Sequence, residues 1–346
     1  MIFKVIRYHR RIQRSFCILT FSLFHLLTFS QDIHFSQFFN VPMALGPGSI
    51  GAFDGDHRVH GIFRQQWRSV TVPYRTFGIG GDSRAIAGIE KLSAGGWIYN
   101  DRAGDSRMNT FHINVGPSWT ERFGANTDQA LTLGTQIGFT SISIDDSDLS
   151  FDRQFNGFHY DPQLATGEIF QRQSTSFIDV HTGIVYRYTP VPRQLIQAGL
   201  NFFNLTTPDI GFVVTPAVPL DMRSSFHVIT QFPIGATLDL LPMALYMKQG
   251  EFIELDLGAN LRHIMLDRYG LLRAVQFGLH YRAADAGYAY AGLEYDDWTF
   301  GISYDLNLSD LVPASRNRGA IEFSLIRVFR SRPAVPVKFK ACPDQL

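Results

Sequence analysis

Residues 252–263 read FIELDLGANLRH, and their apolar and polar members take strict turns. Ile253, Leu255, Leu257, Ala259 and Leu261 oppose Glu254, Asp256, Gly258, Asn260 and Arg262, so a strand here has one apolar and one polar face. LTLGTQIGFT divides the same way, with Leu131, Leu133, Ile137 and Phe139 against Thr132, Gly134, Gln136 and Gly138; AVQFGLHYR and WTFGISYDLN repeat the pattern. A soluble sandwich also alternates, but its strands average about five or six residues, whereas a barrel strand crossing a bilayer needs about nine to eleven. Several runs here are that long, which predicts an all-β transmembrane barrel of antiparallel strands.

About fourteen strands can be placed, starting near Arg58, Thr76, Ser93, Phe111, Ala130, Phe177, Leu195, Ser225, Met243, Phe252, Ala274, Tyr288, Trp298 and Ala320. Those near 76, 93 and 243 have the weakest pattern. An even count suits an outer-membrane barrel, whose termini and short turns are periplasmic and whose long loops are external. The two longest connections, 145–176 and 206–224, then fall outside and the Asp296-Asp297 turn falls inside. The stretch from Ile264 to Arg273 is long for a periplasmic turn. Aromatic residues crowd strand ends, as in Tyr186 with Tyr188, Tyr288 with Tyr290 and Trp298 with Phe300, where interfacial girdles would place them.

Ahead of the strands, Lys4, Arg7, Arg10, Arg11 and Arg14 precede an apolar run, Phe16 to Phe29, too short to span a bilayer. This is a signal-peptide layout over 1–30, with Thr28 and Ser30 before a cut at Gln31. Removing five basic residues changes Lys+Arg from 31 to 26 against 31 acidic residues, a mildly acidic balance with no basic face for nucleic acid. Cys17 lies in the leader, so Cys342 is alone in the exported chain.

Residues 31–57 are rich in turn formers. Pro42, Pro47, Gly46, Gly48 and Gly51 oppose a regular helix or a central strand, while Phe35, Phe38 and Phe39 need a surface to cover. The expectation is a plug-like segment packed against or into the periplasmic end of a barrel spanning 58–329; a loose leader is the alternative. Residues 330–346, basic and proline-bearing, are expected to form a periplasmic tail.

No HExxH, CxxC, GxSxG or P-loop occurs, and FGIGGDS, with Gly78, Gly80 and Gly81, lacks the spacing and helix of a phosphate loop. His57 and His60 would face opposite ways on a strand. Asp145, Asp146 and Asp148 read as a solvated loop before a cation site. No enzyme, cofactor or metal is expected. Inward rows instead carry Glu254, Asp256, Arg262, His280, Arg282, Glu294 and Asp305. A wide selective pore often shows one sign of charge; mixed signs predict a lumen crosslinked by ion pairs or filled by another segment.

The stretch QDIHFSQFFNVPMALGPGSIGAF, 31–53, resembles the mature start of the PorP/SprF family of type IX secretion system membrane proteins, which typically reads QDPxFSQYxxNPLxxNPAxxGxxxG. Gln31, Asp32, Phe35, Ser36 and Gln37 match, and Pro42, Pro47, Gly51 and Gly55 keep the spacing. The likeness continues through RQQW, ending at Trp67, then GGWIYNDRAGDSRMNTFHINVG, ELDLGANLRH, GLEYDDWTFGISYDLNLSDL, GAIEFSLIRVF and the terminal Cys342-Pro343. Val41 and Gly46 stand in place of the family's two asparagines before proline, Gly48 in place of alanine and Ala320 in place of histidine.

The resemblance implies a non-enzymatic outer-membrane barrel working with the type IX machinery. It implies, as partners, a secreted or surface-anchored client such as an adhesin with a C-terminal sorting domain, and a peptidoglycan-binding periplasmic component, in a setting of outer-membrane lipid and gliding motility. It makes Gln31, Asp32, Phe35, Ser36, Gln37, Pro42, Pro47, Gly51 and Trp67 the candidate plug or partner contacts. A porin or hydrophobic-solute channel is the alternative reading, and a barrel hydrolase at the membrane rim a third.

Overall fold

A computed structural model describes residues 33–331, apart from 69–71, 105–106, 125, 146–148, 150, 168–171, 213–216, 269–270 and 310–311. Residues 1–30, expected as a signal peptide, Gln31, Asp32, Asp146, Asp148 and residues 332–346 with Cys342 lie outside the described residues. The alternating runs form fourteen strands: β1 (His57–Gln66), β2 (Tyr74–Ser83), β3 (Leu92–Ala103), β4 (Met108–Phe123), β5 (Gln129–Ser143), β6 (Ser174–Tyr188), β7 (Leu195–Phe203), β8 (Arg223–Pro233), β9 (Leu238–Gln249), β10 (Phe252–Arg268), β11 (Leu271–Arg282), β12 (Ala286–Tyr295), β13 (Trp298–Asn307) and β14 (Arg318–Phe329).

Each strand pairs antiparallel with its sequence neighbours, and β1 pairs with β14 from His57 opposite Phe329 to Gln66 opposite Ala320. That last ladder closes the barrel. Closure gives every strand a partner on both sides, the condition hydrocarbon imposes on a backbone it cannot hydrogen-bond. The outer face is apolar to a degree water would not tolerate: Leu279 is 75% exposed, Phe277 64% and Ile137 62%. On the opposite face, Gln136 and Arg282 of the same strands and Asp256 and Asn260 of β10 are buried.

The largest displacement from the expected starts is at β9, which begins at Leu238 rather than near Met243. The long connections, now 144–173 and 204–222, share one end of the barrel, and β1 begins and β14 finishes at the other. By their lengths the first end is external and the second periplasmic. The stretch expected to form a long periplasmic turn does not exist as one. A bulge between Ile264 and Leu266 lets β10 run on to Arg268, which leaves residues 269–270 as the connection.

The segment before β1 lies inside the barrel. Phe38–Asn40, Pro42–Leu45 and Pro47–Ser49 each make one short helical turn, and proline starts the second and third, where its fixed φ and missing N–H cost nothing. Phe35, Phe38, Val41, Met43, Leu45 and Ile50 are all buried. Phe38 and Leu45 pack on Leu241, Met243 and Leu245, lumen-facing residues of β9.

The segment also reaches farther than the periplasmic end where the sequence placed it. Ser36 and Gln37 sit among Arg64, Asp305 and Glu322, near the outer ends of β1, β13 and β14. Ser225 on β8 donates to the Leu45 carbonyl, and Asp54 meets Arg187 at the periplasmic end of β6. Residues 34–54 therefore run the length of the lumen from the outer to the periplasmic end, because the polar partners of Ser36 and Gln37 lie at the far rim.

Candidate functional site

The outer end of the lumen segment is held by charge. Glu322 on β14 spreads its carboxylate under two successive main-chain N–H groups, Ser36 donating to Oε1 at 2.8 Å and Gln37 to Oε2 at 2.9 Å. The Ser36 hydroxyl donates to the Asp305 carboxylate at 2.7 Å and accepts from Arg64 and Arg282, each at 2.8 Å. Arg64 also pairs with Glu322, and Arg282 lies 3.6 Å from both Glu254 and Asp256. Tyr288 donates to Asp256 at 2.9 Å. Buried ions are tolerable only when paired and hydrogen-bonded, and here two guanidinium groups sit among five carboxylates, the fifth being Asp285 at 2.8 Å from Arg282, with Ser36 between the guanidiniums.

Gln37 uses both ends of its amide. Nε2 donates to Ser303 and to the Glu322 carbonyl, each at 3.2 Å, while Oε1 accepts from Ser324 at 2.6 Å and from Asn40 at 3.1 Å. Phe35 places its ring edge on Trp97, 6.3 Å between centroids, and Trp97 stacks on His60 at 5.3 Å. Two of the three glycines of FGIGGDS serve this stack. A side chain at Gly78 would strike the Trp97 ring, and one at Gly80 the His60 ring. His57, on the other face of β1, bonds Ser83 at 2.9 Å.

Farther down, Gly46 adopts φ +142° with the Asn201 side chain in the space a Cβ would fill. Gly48 lies against the Ile184 main chain, so the positions that depart from the family pattern are among the most tightly enclosed. Gly51, at φ +74°, donates to Asp82 at 2.7 Å. At the periplasmic exit Arg187 grips Asp54 with two hydrogen bonds, of 2.9 and 2.6 Å. The Asp54 side chain is 73% exposed; what desolvation it suffers raises its carboxyl, but the Arg187 hydrogen bonds and charge outweigh that and hold the group below the usual carboxylate range.

Of the candidate contacts, the structure unites Phe35, Ser36, Gln37, Pro42, Pro47 and Gly51 in one lumen segment. Trp67 stands apart, in the external turn after β1, with its ring edge on Tyr74. The inward charges expected from register are inward and paired: Arg262 binds Glu294 at 2.6 Å and Asp239 at 2.9 Å, and Arg282 joins the outer cluster. Sequence reasoning missed Arg64, Tyr290 and Glu322 as plug partners, and missed the apolar lumen face of β9.

Two faces stay open around the segment. At the periplasmic end a cavity of about 800 Å³ is bounded by the turn 190–194, Arg262 and Asp296. On the outer side, loop 144–173 carries a small hairpin in which Phe155 bridges Tyr160. Asn156 caps its turn by accepting from the main-chain N–H of Phe158 and His159, each at 3.0 Å, and Gln154 accepts from the Phe151 N–H at 3.0 Å. Phe158 stands at the tip, 93% exposed. Asp145 in the same loop pairs with Arg107 at 3.4 Å.

A closed antiparallel barrel with an apolar outer wall and a clamped internal segment defines an outer-membrane β-barrel protein. The chain belongs to the type IX secretion system membrane protein PorP/SprF family, whose model matches residues 27–326. No curated protein sequence matches it. Among solved structures it is similar to the toluene transporter TbuX of Ralstonia pickettii, with 10% identity, 84% of this chain and 94% of that one covered, and a TM-score of 0.48. It is also similar to the toluene transporter TodX of Pseudomonas putida, with 11% identity, coverage of 84% and 94%, and a TM-score of 0.46. A Pseudomonas aeruginosa FadL homologue aligns at 11% identity over 84% and 95%, with a TM-score of 0.43.

Proposed function

We propose that this barrel is a non-enzymatic component of type IX secretion that supports the secretion or surface anchoring of a client protein with a C-terminal sorting domain, such as an adhesin. Family membership over residues 27–326 carries the reading. The filled lumen supports a docking role over free conduction, since the segment from His34 to Asp54 occupies the path a solute would take. The client meets the outer face, where loop 144–173 presents Phe158 on a braced tip; a rigid exposed aromatic suits an interface anchor. A peptidoglycan-binding component of the machinery meets the periplasmic face.

The test is a deletion strain scored for the secreted and surface-displayed proteins, followed by a pull-down from solubilised outer membranes. Loss of one large surface protein from the cell and its recovery with the tagged barrel is the expected result. Unchanged secretion and display would overturn the reading. Phe158→Ala should weaken client recovery while leaving the barrel assembled.

A further inference from the structure

Arg327 on β14 interrupts an outward row otherwise made of Phe323, Leu325 and Phe329. Its guanidinium stacks on the Trp298 ring at 4.6 Å and on the Phe329 ring at 4.5 Å. Among the described residues it makes no hydrogen bond or ion pair. A guanidinium carries five N–H donors, and here they stand beside aromatic rings two residues from the periplasmic end of β14, short of an acceptor.

One rung toward the outer side, Gly61 lies between Leu325 of β14 and Ile79 of β2; one rung farther, Phe63 lies between Phe323 and Phe77. A side chain on Gly61 would meet only the Gly78 carbonyl oxygen, at 3.6 Å. Its absence therefore opens a groove of about 550 Å³ in the outer wall. From the rung of Arg327, which opposes Val59, to that of Phe63 is four residues of strand, about 13 Å at about 3.3 Å per residue. The site is thus an apolar channel along the wall with one unanswered positive charge at its periplasmic end.

We propose that the seam between β1 and β14 holds one phospholipid of the periplasmic leaflet, its phosphate on Arg327 and an acyl chain in the groove over Gly61. The charge selects a phosphate, which a guanidinium binds with paired N–H donors. The depth selects a lipid, since Trp298 and Phe329 place Arg327 at headgroup level and the groove rises from it into the hydrocarbon. Annular lipid wets the whole wall, whereas this one occupies a single built position.

Native mass spectrometry of the barrel purified from membranes, titrated with dioleoyl phosphatidylglycerol and separately with dioleoylglycerol, tests this. One phosphatidylglycerol per barrel should survive removal of the detergent, and dioleoylglycerol should not. Gly61→Leu, whose side chain has open space to enter, should abolish retention while the barrel still resists SDS at room temperature. Arg327→Gln should weaken it roughly tenfold, the loss of a charge-assisted hydrogen bond. Equal retention by Gly61→Leu and the parent, or equal retention of the two lipids, would overturn the proposal.

Discussion

Gln37 meets Glu322 twice: its main-chain N–H donates to the carboxylate at 2.9 Å, and its side-chain amide donates to the Glu322 carbonyl at 3.2 Å. The two residues are 285 positions apart, so the second half of the contact arrives with the last strand.

Replacing Glu322 leaves Arg64 buried with less compensation and frees two main-chain N–H groups. Breaking a buried pair by removing one partner costs about 3–5 kcal/mol. Glu322→Ala should therefore lower the temperature at which the barrel loses its SDS-resistant form, and Ser36→Ala should lower it less, since it removes hydrogen bonds but no charge. An equal shift for the two would show that the charge pairing contributes nothing.

In planar bilayers the intact protein should pass little steady current. Deleting residues 34–53 leaves the fourteen-strand ladder unbroken and removes what fills the lumen. The deletion should give a large, continuous conductance, and Glu322→Ala brief openings. A parent protein that conducts steadily would contradict the plugged lumen.

Gly46→Ala drives a Cβ into the Asn201 side chain. Overpacking of this kind costs about 1–3 kcal/mol. Asn201→Gly in the same chain should recover part of that loss in thermal melts, because it removes the atoms struck.

The bond between Asp54 and Arg187 fixes the periplasmic exit of the segment. Its folded carboxyl titrates below the ordinary value. The stabilisation it gives is thus present above the unfolded pKa, about 4, and fades as pH falls through the lower folded value. Protease cleavage near Asp54 should rise only in strong acid for the parent. Asp54→Asn should show the raised cleavage already at neutral pH.

The barrel was legible because alternation survives on nearly every strand: the outward Ile253, Leu255, Leu257 and Leu261 and the inward Glu254, Asp256 and Arg262 are where period two puts them. The β10 extension was not, since the bulge near Met265 breaks the phase. The plug's depth was hidden for a different reason. Ser36 and Gln37 carry no local trace of partners at 303–322. One signal was available in β9, which is apolar on both faces: Leu241, Met243 and Leu245 look inward, and a polar lumen filled with water would not favour them. That doubled hydrophobicity made the strand look weak when it marked where Phe38 and Leu45 lie.

The threading of residues 34–54 also bears on the order of assembly. Glu322 and Ser324, which grip Gln37, belong to β14, the strand whose pairing with β1 shuts the barrel. Until that strand is in register the leading segment lacks those anchors at its outer end, and once it is, the ring around the segment is complete. Sealing the wall and fastening what it encloses are one event, so an intermediate missing its final hairpin has a free leading segment as well as an open edge.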